Sequence, residues 1–190
     1  MGWMRPTLIV VSGPPASGKT TLAHALAQAV HCPAICRDEI KEGLVCGITS
    51  ESFVPARGDA ANQAATAAFF DVVDLMLQRG VTLVAEAAFQ HHRWAPRLTA
   101  FGNLADVRVI NCTADDAVAR QRRRQRWITE PWRRRFHADP DPERLTGTDS
   151  RTVDPPAGYQ PIGLDLPTLV VDTSDGYRPE FDEIVTFASG

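Results

Sequence analysis

Gly13-Pro14-Pro15-Ala16-Ser17-Gly18-Lys19-Thr20 is the stretch that decides how this chain folds. Thr7-Leu8-Ile9-Val10-Val11, just before it, is a short β-branched apolar run with the character of a buried strand. Thr21 to Val30, just after it, carries Leu22, Leu26 and Val30 four apart on an alanine-rich background, which is the period of a helix. The spacing G-x-x-x-x-G-K-T between a strand and a helix marks a phosphate site. A glycine-rich loop turns its backbone N–H groups inward as an anion nest, and the helix that opens at Thr20 and Thr21 adds the positive end of its dipole. Lys19 is placed for β- and γ-phosphates, and the Thr20 hydroxyl for Mg²⁺.

Composition narrows the class. Of 20 basic residues only Lys19 and Lys41 are lysines, leaving 18 arginines. A chain so biased to arginine keeps a lysine where a compact point charge on a flexible stem is useful. With 190 residues, a single domain with ample core is expected. A net charge of −3 argues against a protein that coats nucleic acid with its whole surface. Cys32, Cys36, Cys46 and Cys112 form no C-x-x-C pair, and no signal-peptide pattern opens the chain, so reduced thiols in a cytoplasmic protein are expected. The N-terminal apolar run is too short to span a membrane.

Further along, Pro33-Ala34-Ile35-Cys36 reads as a second strand, followed by Arg37-Asp38-Glu39-Ile40-Lys41-Glu42 at a helix start. Asp38 and Glu39 suit the helix dipole there, but a carboxylate at a strand tip beside the phosphate loop also faces the crevice where parallel α/β sheets bind ligands. Residues 47–58 read as loop. Asp59 to Arg79 reads as one amphipathic helix ended by Gly80, with Phe69, Val72, Val73, Leu75 and Met76 in its core face. Val81-Thr82-Leu83-Val84-Ala85 is the next strand, and Glu86 closes it as the loose form of a Walker B acid that holds Mg²⁺. His91, His92 and Arg93 open a helix with Trp94, and Pro96 is expected in its first turn. Arg93 is a candidate substrate contact.

Val107-Arg108-Val109-Ile110-Asn111 is a fourth strand, with Thr113 expected as the N-cap of a helix whose first turn holds Asp115 and Asp116. Eight arginines then fall between Arg120 and Arg135 against one acid, Glu130. Such a run is usually a solvated face, yet in an acidic protein it also concentrates positive potential for anions. Trp127 and Trp132 are interleaved with it, placed either for helix packing or for stacking on a base. Residues 140–167, rich in Pro, Gly, Asp and Thr, read as a long connection, with Thr168-Leu169-Val170-Val171 as the last strand before a final helix.

With these pieces in order, the chain resembles the P-loop kinase group of AAA_33 type that includes polynucleotide 5′-hydroxyl kinase, zeta toxin, chloramphenicol phosphotransferase and gluconate kinase-like enzymes. GPPASGKT, CRDEI at a strand end, the acid in VTLVAEAAF and the basic helix after VINCTADD carry the resemblance, and VVDTSD is similar to the group's closing strand and nucleotide-base loop. The resemblance implies ATP and Mg²⁺ as cofactors. It places the general base on Asp38 and substrate-phosphate binding on Arg37. Glu86 falls at the metal and acceptor, and Asp172 and Thr173 beside the base. Lid arginines four apart fall on Arg120, over the adenine, and on Arg124, at the phosphates, with Arg123 or Arg126 as alternatives for the clamp. One departure is Gln90, where zeta-like members carry an arginine four residues after the strand-end acid; this argues against a sugar-nucleotide acceptor.

The expected fold is therefore a three-layer α/β/α P-loop sandwich with a five-stranded parallel sheet in adenylate-kinase-like order and a basic lid at about 120–145. The expected reaction is transfer of the ATP γ-phosphoryl group to a hydroxyl of a small molecule or nucleotide-like acceptor. Two rivals are a kinase for 5′-hydroxyl polynucleotides, the one way nucleic acid would enter as a partner, and a non-kinase ATP-binding regulatory protein.

Overall fold

A computed structural model describes residues 5–47, 54, 55, 59–137 and 159–190. Most of the loop read at 47–58 and most of the connection read at 140–167 lie outside these residues.

Five parallel strands form one sheet in the order β2-β3-β1-β4-β5. They are β1 (Thr7–Ser12), β2 (Ala34–Cys36), β3 (Leu83–Glu86), β4 (Asp106–Thr113) and β5 (Thr168–Asp172). The helices between them are α1 (Lys19–Ala29), α2 (Arg37–Cys46), α3 (Ala60–Gln78), α4 (His91–Phe101), α5 (Asp116–Thr129) and, after β5, α6 (Phe181–Ser189). A 3₁₀ turn, Pro131–Arg135, extends α5. The order and the all-parallel pairing are those the sequence predicts.

Alternation along β1 explains the three layers. Successive side chains leave a strand on opposite faces. Leu8 and Val10 therefore join one core with Phe69, Phe70 and Val73 of α3 and Trp94 and Leu98 of α4. Ile9 and Val11 join the other with Leu22 and Leu26 of α1 and Ile184 of α6. β1 is buried on both faces because it lies at the centre, flanked by β3 and β4, with Val11 in register with Glu86 and Ile110.

The Phe69-Phe70 pair is packing, as expected. Phe69, Phe70, Phe89 and Trp94 form an aromatic cluster with centroids 5.2 to 5.8 Å apart, mostly edge-on. The indole Nε1 of Trp94 donates to Ser12 Oγ at 3.2 Å, which ties this core to the last residue of β1.

Three local readings need correction. Leu75 is exposed and Val72 half-buried, because the inner stripe of α3 runs through Ala61, Ala65, Phe69, Val73 and Leu77 at spacings of four. Thr113 belongs to β4, which runs two residues further than its apolar run, and Asp115 takes the N-cap of α5. Pro96 lies in the second turn of α4, where without an N–H it cannot donate to the His92 carbonyl. No helix among the described residues is long and apolar enough to cross a membrane.

Candidate active site

The C-terminal ends of the parallel strands put Ser12, Cys36, Glu86, Thr113 and Asp172 along one edge of the sheet. The loop after β1 is shaped there by backbone demands. Gly13 has φ +149°, and a Cβ on it would run into the Cys112 carbonyl and come within 2.7 Å of Ser17 Oγ. Gly18, at φ 73°, caps α1 in the left-handed region. Ala16 is left-handed too (φ 66°), a conformation costing a non-glycine residue about 1–2 kcal/mol. Pro15 is exposed and Pro14 half-buried on the rim. Ser17 Oγ is buried with no hydrogen-bond partner among the described residues, an orphan polar atom inside the loop.

Lys19 and Thr20 open α1. Lys19 is buried; its Nζ donates to the Pro14 carbonyl at 3.1 Å and lies 3.9 Å from Glu86 Oε1. The Thr20 hydroxyl donates to Glu86 Oε2 at 3.1 Å. Thr21 is exposed in the same turn. Burial pushes the Glu86 carboxyl above the usual range; Lys19 and Thr20 pull it down, and the nearby charge of Asp38 adds to the rise. A hydroxyl and a carboxylate meeting beside a phosphate loop are an oxygen-only donor set, which fits Mg²⁺ rather than a softer ion.

Asp38 stands in the first turn of α2, half-exposed, with Arg37 Nη1 donating to its Oδ1 at 2.9 Å. Burial around Asp38 works to raise its pKa, but the Arg37 hydrogen bond and the charges of His137, Arg37 and Lys19 together hold it below the usual value. It is therefore ionised at neutral pH. Arg37 is itself fixed from the far side, with Nη2 donating to Asn62 Oδ1 at 2.7 Å and to the Asn62 carbonyl at 2.9 Å. Its Nε is buried without a partner among the described residues.

Around this pair lie groups that sequence reasoning misses. Lys41, one turn on from Asp38 and 2% exposed, pairs with Asp59 Oδ2 at 3.6 Å. Asp59 also caps α3 by accepting from the Asn62 N–H at 2.6 Å. Glu42 accepts from His137 Nε2 at 2.7 Å and Arg133 Nη1 at 3.3 Å, and Phe136 packs on Val45 and Ala61. The end of the basic segment is thus docked on α2 and α3. Lys41 stands out as one of two lysines, but nothing in the spacing links Glu42 to residues ninety positions away.

Of the arginines on α5, the one nearest the phosphate loop is not among those the resemblance singles out. Arg122, not Arg120 or Arg124, reaches the loop: its Nη1 donates to Thr173 Oγ1 at 2.9 Å and to the Ala16 carbonyl at 3.4 Å, and its Nη2 to the Thr173 carbonyl. Arg120 and Arg124 are exposed. Two residues along a helix is a rotation of roughly 200°, so both point away when Arg122 points in. Ala119, the one buried residue of α5, is the available signal, since Arg122 and Arg126 continue its face at spacings of three and four. Arg123 is partly buried, and burial followed by the neighbouring Arg120 charge lowers its pKa.

Asp172 and Thr173 sit where the sequence puts them, at the end of β5 and just past it. Thr173 is buried and lies 3.0 Å from the Ser17 carbonyl through its hydroxyl. Asp172 Oδ1 accepts from Ser174 Oγ at 2.6 Å and Ser174 N at 2.8 Å, and these two bonds lower its pKa. Arg93 is exposed at the start of α4, its guanidinium 5.8 Å from the Phe89 ring centroid.

Comparison with known proteins agrees with this geometry. The family model AAA_33, described as an AAA domain, matches residues 8–139, so the chain belongs to that family, within the P-loop kinase group. A candidate kinase from Chloroflexus aurantiacus J-10-fl is similar over 98% of both chains at 26% identity and a TM-score of 0.78. A sugar kinase from Janibacter sp. HTCC2649 covers 98% of this chain and 95% of its own, at 15% identity and a TM-score of 0.62. The Mycobacterium tuberculosis APS kinase, solved with AMPPNP and APS, covers 98% and 99% at 14% identity and a TM-score of 0.61. The latter two likenesses establish the fold. No curated protein matches the sequence.

Proposed function

Starting from that family membership, we propose that the chain is an ATP-dependent kinase, one domain with the basic segment at about 120–145 as its lid, which phosphorylates a hydroxyl of a small acceptor. The observation that carries this reading is the meeting of Lys19, Thr20 and Glu86 at a phosphate loop with Asp38 close enough to feel the charge of Lys19. Loop amides from Gly13 to Thr21 and the Lys19 ammonium hold the triphosphate. The partnerless Ser17 hydroxyl supports this, being a buried donor with an anion as its natural acceptor.

Asp38 takes the proton of the acceptor hydroxyl. The new bond forms between that oxygen and the γ-phosphorus, the bond from the γ-phosphorus to the bridging oxygen breaks, and ADP leaves with the negative charge. Thr20 and Glu86 would hold Mg²⁺, which shields the phosphate charge when bound. Arg122, with Arg126 on its face, is the better placed pair to clamp the nucleotide; Arg120 and Arg124 need the helix to turn. Thr173 and Asp172 line the base side. Catalysis of this kind is chiefly positioning and electrostatics.

Arg37 favours an acceptor that carries an anionic group, because its guanidinium is held beside the base with Nε buried and unpaired. A 5′-hydroxyl oligonucleotide is one such acceptor, and steep salt dependence of binding would single it out. The reading is tested with labelled ATP and a panel of sugar acids, nucleotides, aminoglycosides and 5′-hydroxyl oligonucleotides. Asp38→Asn is expected to cut transfer roughly 10²–10⁴-fold with nucleotide binding kept. Unchanged transfer in that variant, or no transfer to any alcohol while ATP binds, would leave a nucleotide-binding protein of another kind.

A further inference from the structure

A second cluster lies behind the phosphate loop, and the kinase reading does not use it. His24 on the outer side of α1, Cys36 at the end of β2 and Glu39 in the first turn of α2 come from three separate elements. His24 Nε2 lies 2.6 Å from Glu39 Oε1 and 3.7 Å from Cys36 Sγ, and the three donor atoms fall within 4.8 Å of one another. Among the described residues no other group of histidine, cysteine and acidic side chains converges this way.

We infer that His24, Cys36 and Glu39 form a zinc-class transition-metal site, distinct from the oxygen-only pair Thr20 and Glu86.

Two features of the geometry support it. Zinc bonds of about 2.0 Å to nitrogen and 2.3 Å to sulfur, at a tetrahedral angle, hold those two atoms about 3.5 Å apart. The observed 3.7 Å is close to that, so histidine and thiol already stand at the spacing a shared ion needs. The Glu39 oxygen must back away from His24 by roughly 0.7 Å and close on the thiol, from which it stands within 4.8 Å, to reach its own tetrahedral corner. Its side chain is half-exposed and free to do so, as is that of His24.

The second feature is chemical. An exposed His–Glu ion pair accounts for two members but not for a thiol, 2% exposed, closing the third side. One soft sulfur, one imidazole and one carboxylate select zinc or cobalt over magnesium and calcium, which want oxygen alone. Binding replaces the thiol proton with the metal and releases that proton to solvent. Three protein ligands leave one tetrahedral position for water.

Its place gives the site a consequence. Cys36 pairs in register with Glu86, and Glu39 follows Asp38. A metal held there pins the first turn of α2 to α1, so the two walls of the cleft lose their freedom to move apart.

The test is titration of the full reduced chain with Co²⁺, read by absorbance, then competition with Zn²⁺. The expected result is a 1:1 complex with intense tetrahedral bands and a thiolate-to-cobalt charge-transfer band, displaced by Zn²⁺ and untouched by excess Mg²⁺. Cys36→Ser and His24→Ala are each expected to abolish the charge-transfer band. His24→Ala is the cleaner variant because its side chain is exposed and folding does not depend on it. Glu39→Gln is expected to weaken Co²⁺ at least several-fold, while Lys19→Ala, which removes phosphate binding, leaves it unchanged. Absence of a thiolate band in the wild-type chain, its survival in His24→Ala, or full affinity in Glu39→Gln would each overturn the site. A Tm raised by Zn²⁺ in the wild type and not in His24→Ala is the matching stability readout.

Discussion

The two walls of the cleft are built differently. On one side, the turn between β1 and α1 is a backbone structure whose glycines are dictated by φ angles and by the approach of Cys112 and Thr173. On the other, α2, α3 and the 3₁₀ turn after α5 meet through charged side chains: Arg37 with Asp38, Lys41 with Asp59, and Glu42 with Arg133 and His137. The first wall is a shape that few sequences can make. The second is a set of pairings that many sequences could replace, and it is there that specificity for an acceptor belongs.

That contrast can be broken by substitution. Lys19→Ala is expected to remove the ATP-induced rise in Tm and lower transfer by roughly 10²-fold or more, since its ammonium is the cation buried beside Glu86, while Arg122 reaches the loop from the Thr173 side. Survival of either property would mean that the backbone nest alone suffices. Next in size, Arg122→Ala should weaken nucleotide binding by about 1.5–3 kcal/mol, as expected for a charge-assisted hydrogen bond, whereas Arg124→Ala should cost far less. Calorimetric titration of both variants decides it; equal losses would show that α5 turns when nucleotide binds.

On the second wall, Glu42→Gln leaves Arg133 and His137 facing a neutral partner. Hydrogen exchange over residues 131–137 should then rise by the equivalent of about 1–2 kcal/mol, with nucleotide affinity unchanged. A matching loss of nucleotide affinity would instead join the two walls into one unit.

The smallest effect belongs to Glu86, and its sign is informative. Burial makes the folded protein hold this proton more tightly than the unfolded chain does. Stability without nucleotide or metal therefore falls as pH climbs from the ordinary glutamate range, about 4.3, through the raised value. Glu86→Gln should flatten that slope and raise the Tm at neutral pH while lowering transfer. Thermal melts across pH in chelator-treated buffer test this, and a lower Tm for the variant would show that Glu86 is held chiefly by Lys19 and Thr20.

The same contrast explains how much of the molecule is legible in its amino-acid order. β1, the loop and α1 are legible because each position answers to a local rule: alternation for the strand, positive φ for Gly13 and Gly18, and a fixed reach for Lys19. Parallel pairing follows from the βα repeat, and strand order from the family resemblance. Asp38 and Glu86 are legible as acids at strand ends. The arginine register is not, because eight arginines in sixteen positions erase the polarity that normally marks a face; only Ala119 keeps a trace of it. Lys41–Asp59 and the Glu42 cluster are hidden for a plainer reason. Ion pairs between distant elements leave no periodic mark, and either partner alone looks like ordinary surface charge. The thiol of Cys36 counts among the cysteines, but its neighbours arrive from other helices.

Thr173 carries one further implication. Its hydroxyl lies 3.0 Å from the Ser17 carbonyl and 3.2 Å from that of Thr113, while Arg122 donates to the same oxygen. A hydroxyl owns a single hydrogen, so it can serve one of those two carbonyls at a time. The phosphate-side turn and the tip of the fourth strand are therefore rivals for one proton, and whatever firms the grip on one must slacken it on the other. A valine in that place would keep the outline and end the contest, uncoupling two parts of the sheet edge that now answer to each other.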